Sequence, residues 1–390
     1  MATFNVKTVN KISADGLAQL DKAKYAVADD AKNPDGILVR SANLHEYEFE
    51  DNLSCIVRAG AGTNNIPIDK CSEKGIVVFN TPGANANAVK ELVLCSLILA
   101  SRDIIGGIDW AKTLKGKGAD VATLVEKGKG SFVGPEVYKK TLGVVGLGAI
   151  GALVANIGIS LGMNVIGYDP FMSVDSAWKL DRHVTNARDL KSLFEQADYI
   201  SLHAPYTPDT KGYVNAEAFS QMKDGVRIVN IARGELVNDA DMIAALESGK
   251  VARYVTDFPN DNVLDVKNIV AIPHLGASTP ESEENCAFMA VDQLSEFLEY
   301  GNIRNSVNFP NVEAAREGVE RICVIHKNIP NTISPISSAF ASEGINISNL
   351  VNKSKKDMAY TVLDIDAPAS EKAIAAINAV EGVLKVRVIK

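Results

Sequence analysis

The stretch Gly146-Leu147-Gly148-Ala149-Ile150-Gly151 constrains this chain more than any other, because of what flanks it. Before it, Leu142-Gly143-Val144-Val145 reads as a short buried strand. After it, Ile150, Val154, Ile157 and Leu161 recur at helical spacing. A second apolar run at 165–168 follows and ends in Asp169. Strand, glycine turn, helix, strand and acid, in that order, form the dinucleotide-binding pattern. The first glycine permits a tight turn, the second lets backbone approach a pyrophosphate, and the third lets helix pack on strand. The helix N-terminus supplies amide donors and a favourable dipole for the phosphates. Asp169, 18 residues beyond Gly151, is placed to accept from the adenosine ribose hydroxyls. It would repel a 2′-phosphate, and Pro170 and Phe171 follow it without an arginine, so NAD is expected rather than NADP. A purely structural glycine turn would leave the position of Asp169 unexplained.

A chain of 390 residues exceeds one ordinary core, so two or three domains are expected. The net charge of −8 and pI near 5.3 argue against nucleic acid or an anionic membrane as partner. An anionic substrate must then be held by a local cluster of arginines. The first residues lack the basic and apolar regions of a signal peptide, and the longest apolar run, 92–100, is too short to span a bilayer. A cytoplasmic protein is expected. The five cysteines are scattered and without a C-x-x-C pair, so reduced thiols and no metal site are expected.

Residues 1 to about 95 alternate short strands (36–39, 55–57, 76–79) with helices and loops rich in Gly and Asn. A long apolar helix covers about 88–101, and 114–134, rich in Gly and Lys, reads as a surface excursion. From 141 onward, six strand signals (144–146, 165–168, 199–202, 226–231, 254–257 and 269–272) are separated by helical patterns. That is the sequence of a Rossmann-type, doubly wound parallel sheet. A helix at about 281–300 is long enough to return the chain to a smaller, flavodoxin-like first domain. The expected limits are 1–95 with 286–305 for substrate, 96–285 for NAD, and 306–318 for a linker. The remaining 319–390 follow a β-α-β-β-α-β order, the ferredoxin-like unit, with sheet edges suited to pairing with another chain. A regulatory or assembly module is expected there.

Three ionisable residues stand where α/β sheets gather their ligands, beyond the carboxyl ends of strands. Arg233 follows Asn230-Ile231-Ala232, Asp261 follows Thr256-Asp257-Phe258-Pro259, and His274 opens Pro273-His274-Leu275-Gly276-Ala277. Oxidising a 2-hydroxy acid by hydride transfer needs a cation for the carboxylate, a base for the hydroxyl proton and a partner for that base. Arginine fits the first role through its bidentate fork, and histidine the second through its pKa. Against this, most histidines serve no catalysis. His45 and His183 lie in polar surroundings, and His203, which ends a strand, is expected to line the cofactor cleft.

With these residues in view, the chain resembles the D-isomer-specific 2-hydroxy acid dehydrogenases, most closely their short forms that carry a C-terminal ACT domain and act on a phosphorylated substrate. The resemblance rests on Arg58-Ala-Gly-Ala-Gly62, Asn80-Thr-Pro-Gly83, the glycine motif, Asn230-Ile-Ala-Arg-Gly234, Thr256-Asp-Phe-Pro259, Pro273-His-Leu-Gly-Ala-Ser-Thr279 and the tail. It implies that His274 is the acid–base residue, that Arg233 binds the carboxylate and polarises the C2 oxygen, and that Asp257 contacts the nicotinamide end. The acid paired with the histidine is usually glutamate; here Asp261 is the nearest candidate, one methylene shorter. The cofactor would be lined by Gly146, Gly148, Ala149, Ile150, Gly151, Asp169, His203, Ala204, Ile231, Ala232, Arg233, Asp257, His274, Gly276 and Ala277. Arg40 and Arg58, with Gly60 and Ala61 beside them, would meet the substrate and its phosphate. In the tail, His326, Asn328 and Asn346 match groups that hold L-serine between two chains of a dimer or tetramer.

The expected activity is therefore NAD-dependent oxidation of 3-phospho-D-glycerate, the entry to serine synthesis. Two alternatives stay open at this point. One is a glyoxylate or hydroxypyruvate reductase of the same family; the other is a non-catalytic protein that senses NAD.

Overall fold

The structure is a computed structural model and describes residues 4–390. The chain divides into two compact units, one of residues 1–85 with 280–390 and the other of residues 86–279.

The first unit opens with a five-stranded parallel sheet built from β1 (Phe4–Val9), β2 (Tyr25–Ala28), β3 (Gly36–Val39), β4 (Cys55–Arg58) and β5 (Val77–Phe79). Its order, β2-β1-β3-β4-β5, is the flavodoxin-like one. β3 (GILV), β4 (CIVR) and β5 (VVF) are near-continuous apolar runs because helices cover both faces of the sheet. The helix Pro280–Tyr300 returns to this unit and buries Ala287, Ala290, Val291, Leu294, Phe297 and Leu298, one stripe at helical spacing. β1 and β2 add to the three strands expected here. Of β1 only Val6 is fully buried, so its apolar signal in FNVKTV is thin.

The second unit carries β6 (Thr141–Val145), β7 (Asn164–Tyr168), β8 (Thr185–Asn186), β9 (Tyr199–Leu202), β10 (Val226–Asn230), β11 (Val251–Thr256) and β12 (Ile269–Ala271). All pair in parallel in the order β12-β11-β10-β9-β6-β7-β8, the doubly wound arrangement expected, with β8 as an added edge of two residues. The strand order reverses between β6 and β9, which makes the crevice at their carboxyl ends the ligand position. The helix Ala86–Ser101 belongs here from its first residue. Val89, Val93, Leu97 and Ala100 pack with Val144, Val154, Val229 and Val255. The excursion before β6 holds a short helix, Val121–Gly128, none of whose residues is buried.

The tail forms β13 (Glu320–Lys327), β14 (Ile347–Lys355), β15 (Met358–Ile365) and β16 (Val383–Ile389), with helices Ile333–Ala341 and Glu371–Asn378. The antiparallel order β14-β15-β13-β16 is that of the ferredoxin-like unit. Its central strands, β13 and β15, are buried on both faces. Ile322, Val324, Leu363 and Ile365 pack under the two helices. Cys323, Ile325, Tyr360, Val362 and Ile389 instead share one core with Phe79 of β5, Val291 and Phe297 of the helix Pro280–Tyr300, and Phe309. Tyr360 donates its hydroxyl proton to the Gly301 carbonyl at 2.7 Å, and Arg387 donates to those of Phe297 and Leu298. The segment expected as a linker is wrapped into the same body. Asn308, 8% exposed, accepts from the Val78 amide and donates to the Ile76 carbonyl and Ser72 hydroxyl.

Candidate active site

The glycine turn sits at the strand-order reversal. Gly146 has φ +88°, and a Cβ there would lie 2.7 Å from the His203 carbonyl carbon. Only glycine satisfies both the dihedral and the approach of the β9 exit. A Cβ on Gly151 would lie 1.8 Å from the Gly146 oxygen, so the helix Ala149–Ser160 starts directly over the turn. At Gly148, the N-cap of that helix, a Cβ would meet nothing within 4 Å. The open side of the turn therefore lies at the helix N-terminus, where a pyrophosphate fits the amide donors.

Asp169 is oriented by the turn it serves. Its Oδ2 accepts from the Leu147 amide and its Oδ1 from the Phe171 amide, each at 2.8 Å. The carboxylate keeps lone pairs for further donors such as ribose hydroxyls. His203 lies beneath the turn. Its amide donates to the Val145 carbonyl at 2.7 Å, and its Nε2 pairs with the Ser201 hydroxyl at 2.8 Å. Burial pushes the imidazole pKa down to about 4, so it is a neutral wall of the cleft.

The loop after β10 is stapled by Asn230, which is fully buried. Its Oδ1 accepts from the Ala232 and Arg233 amides, and its Nδ2 donates to the Arg233 carbonyl and the Tyr254 hydroxyl. Arg233 is thus fixed at its backbone, and its Nη1 donates to the Ala232 carbonyl at 2.6 Å. In the sequence Asn230 stands only as one residue of the motif Asn230-Ile-Ala-Arg-Gly234, and nothing there announces its role as a staple.

Asp257 is 1% exposed, at the end of β11. Its Oδ2 accepts from the Gly276 amide at 3.0 Å, which ties down the loop that carries His274. Its Oδ1 is buried without a hydrogen-bond partner. Burial raises its pKa above the usual carboxylate range; the Gly276 amide and the charge of His274 oppose that rise. A buried acceptor left unpaired is costly, and the carboxamide NH2 of a nicotinamide is the donor chemistry it lacks. Gly148, Asp169 and Asp257 together therefore suit NAD.

His274 is exposed, and its ring lies 4.6 Å from that of Phe258, tilted by 47°. Asp261 is exposed on the turn after Pro259, where Asn260 bonds Asp239. Among the described residues no hydrogen bond or ion pair joins Asp261 to His274. The charge of His274 acts on the buried carboxyl of Asp257.

In the first unit, Val39 and Arg58 are register partners, so Arg40 and Arg58 leave β3 and β4 at one edge. The Arg58 Nε donates to the Arg40 carbonyl at 3.0 Å. The Gly60-Ala61 turn is held from the segment after β5: Asn80 donates to the Ala61 carbonyl and the Thr81 amide to that of Gly60. Arg40 forms an ion pair with Glu283 at 2.6 Å.

The three tail residues do not meet within one chain. His326 is 2% exposed, with Nδ1 on the Lys327 carbonyl and Nε2 on the Thr361 hydroxyl. Asn328 lies beside it and donates to the Lys356 carbonyl. Asn346 precedes Ile347, which pairs with Ile365 and so with the Glu320 end of β13. The two ends are about 20 Å apart at strand spacing.

Residues 98–276 match the family model described as the D-isomer-specific 2-hydroxyacid dehydrogenase NAD-binding domain. The chain is 32% identical over 341 residues to the D-3-phosphoglycerate dehydrogenase of Escherichia coli K12, covering 84% of this chain and 79% of that one. To the protein of the same name from Bacillus subtilis it is 33% identical, covering 79% of this chain but only 59% of that one. It also superposes on the crystal structure of NAD+-bound 3-phosphoglycerate dehydrogenase from Entamoeba histolytica. That match has a TM-score of 0.60 and 27% identity, and covers 79% of this chain and 99% of the other. The chain belongs to the D-isomer-specific 2-hydroxyacid dehydrogenases.

Proposed function

We propose that this chain is an NAD-dependent D-3-phosphoglycerate dehydrogenase that interconverts 3-phospho-D-glycerate and 3-phosphohydroxypyruvate. Bound NAD supplies the hydride acceptor. His274 takes the C2 hydroxyl proton during oxidation and returns it during reduction. Arg233, its backbone clamped by Asn230, holds the substrate carboxylate and polarises the C2 oxygen. Asp257 serves both ends of the event, fixing the Gly276 amide beside His274 and accepting from the carboxamide with its other oxygen. Arg40 and Arg58 take the phosphate through charge-assisted bonds.

The observation that carries this reading is that two arginines, Arg40 and Arg58, stand at the carboxyl ends of the adjacent strands β3 and β4, the side chain of one bonded to the backbone of the other. With its one carboxylate on Arg233, an unphosphorylated 2-ketoacid leaves these two arginines without an anion. The competing reading, a glyoxylate or hydroxypyruvate reductase, has one observation in its favour, the ion pair that already engages Arg40. Initial rates with NADH and 3-phosphohydroxypyruvate, beside hydroxypyruvate, separate the two. The proposal expects Arg40→Ala and Arg58→Ala to lower kcat/KM for the phosphorylated ketoacid far more than for the other. Equal losses for both would place the arginines in packing and favour the reductase.

The described residues contain no helix long and apolar enough to cross a membrane. We place the enzyme in the cytoplasm as a homo-oligomer. On this proposal L-serine is its effector, held by His326 and Asn328 of one chain and Asn346 of another. The separation of these residues within a single chain supports a site that needs two copies.

A further inference from the structure

The two arginines assigned to the phosphate are held in different ways. Arg58 is anchored through its Nε to backbone, the Arg40 carbonyl. The Arg40 guanidinium instead meets a carboxylate, with its Nη2 2.6 Å from the Glu283 Oε1. Both of these side chains are well exposed, 40% for Arg40 and 44% for Glu283, so neither is locked by packing. Glu283 stands in the first turn of the helix Pro280–Tyr300, where the helix dipole favours a negative charge. One turn further along, the buried Cys286 feels the charges of Arg58, Arg40 and Glu283. A carboxylate against Arg40 does what a bound anion would do: it neutralises the guanidinium. A phosphate dianion entering there has to take Arg40 from Glu283, and the released carboxylate then repels it.

We propose that Glu283 is a specificity-determining residue, an internal anion that occupies Arg40 in the absence of substrate and competes with the substrate phosphate for it. The proposal rests on the reading of Arg40 as a phosphate ligand. It follows that Glu283 weakens every small dianion at this position, inorganic phosphate and sulfate included, and that only a dianion tethered to a correctly bound ketoacid displaces it efficiently. An exposed ion pair is weak, and the like-charge repulsion adds to it. The competition is therefore expected to change affinity by roughly 3- to 10-fold.

The test is a double-mutant cycle on the full-length protein with Glu283→Gln, Arg40→Ala and the pair. The readouts are kcat/KM for 3-phosphohydroxypyruvate relative to hydroxypyruvate, and the inhibition constant of inorganic phosphate. Glu283→Gln is expected to raise the substrate ratio and tighten phosphate inhibition by about 3- to 10-fold. In the Arg40→Ala background the same change should do neither. If Arg40→Ala lowers the ratio while Glu283→Gln leaves ratio and inhibition unchanged, Arg40 binds phosphate and the competition is refuted. If Arg40→Ala leaves the ratio unchanged, the phosphate reading fails, and the competition falls with it.

Discussion

Arg321 offers the sharpest test of how the tail is held. Its side chain and that of Asp364 are both fully buried, and they meet in a bidentate pair, Nε to Oδ1 at 2.7 Å and Nη2 to Oδ2 at 2.8 Å. The remaining guanidinium donors reach the carbonyls of Tyr300, Ala314 and Ala315. Asp364 also accepts from the Glu317 amide. Arg321→Met removes the partner of a buried carboxylate, at a cost of about 3–5 kcal/mol. At about 2–4 °C per kcal/mol for a body of this size, melting should fall by roughly 6–20 °C. Asp364→Leu added to Arg321→Met separates ion pairing from backbone stapling. A simple buried pair is often replaced by apolar groups at no loss, or with a gain. Here the double change still strands three carbonyls and one amide, each worth about 1–3 kcal/mol if kept dry. The double variant should therefore remain well below the parent. Calorimetry reads the melting, and limited proteolysis shows whether cleavage concentrates in residues 300–320. A drop under about 3 °C for the single variant, or full recovery in the double one, would refute the argument.

Other outcomes follow from the second unit. His274→Asn and Arg233→Ala should each reduce turnover by about 10²–10⁴-fold while NADH binding, followed by fluorescence, persists. Asp261→Asn, at an exposed residue with no bond to His274, should cost less than about 3-fold, whereas Asp257→Asn should cost far more; the reverse order would make Asp261 the partner acid. Asp169→Ala should narrow the preference for NAD over NADP, measured as a ratio of kcat/KM, and an unchanged ratio would remove Asp169 from ribose recognition. His203 makes the fold acid-sensitive, because its folded pKa, about 4, lies below the ordinary 6.5. Its contribution is complete above pH 6.5 and is lost as pH falls toward 4, by at most about 3 kcal/mol. Denaturant midpoints for His203→Gln should be flatter than the parent's across that window.

What the sequence revealed was local. The glycine turn and Asp169 are legible because their partners lie close along the chain: the Leu147 amide bonds Asp169, and Gly151 covers Gly146. The strands of the second unit are legible because two-sided burial demands continuous apolar runs. β1 is poorly legible because it buries little, and β8 because two residues carry no periodicity. Asp261 and Asp257 show the limit at the site. Spacing ranks Asp261 as the acid nearest the usual glutamate position, but only the fold shows that Asp257 holds the Gly276 amide and keeps an unpaired oxygen. Arg40 and Glu283 are far apart along the chain, and no pattern within either neighbourhood announces their contact.

The tail shows a signal that was present but given the wrong weight. Glu320–Lys327 reads Glu-Arg-Ile-Cys-Val-Ile-His-Lys, and all but its last residue is buried. A sheet with helices on one face and water on the other would alternate apolar with polar residues; a continuous run means that both faces are covered. The second cover is the rest of the same unit, packed on Cys323, Ile325, Tyr360, Val362 and Ile389. From β16, Lys385 reaches the carbonyls of Asp51 and Leu53 with its side chain. β14, at the opposite edge of the sheet, is mostly exposed along its length and suits pairing with a second chain. An effector bound across that edge would press on a sheet already continuous with the core around Phe79 and Phe297. Its influence on the first unit would pass through packed side chains, with no flexible linker between them, and would require two arrangements of that core with different affinities for the effector.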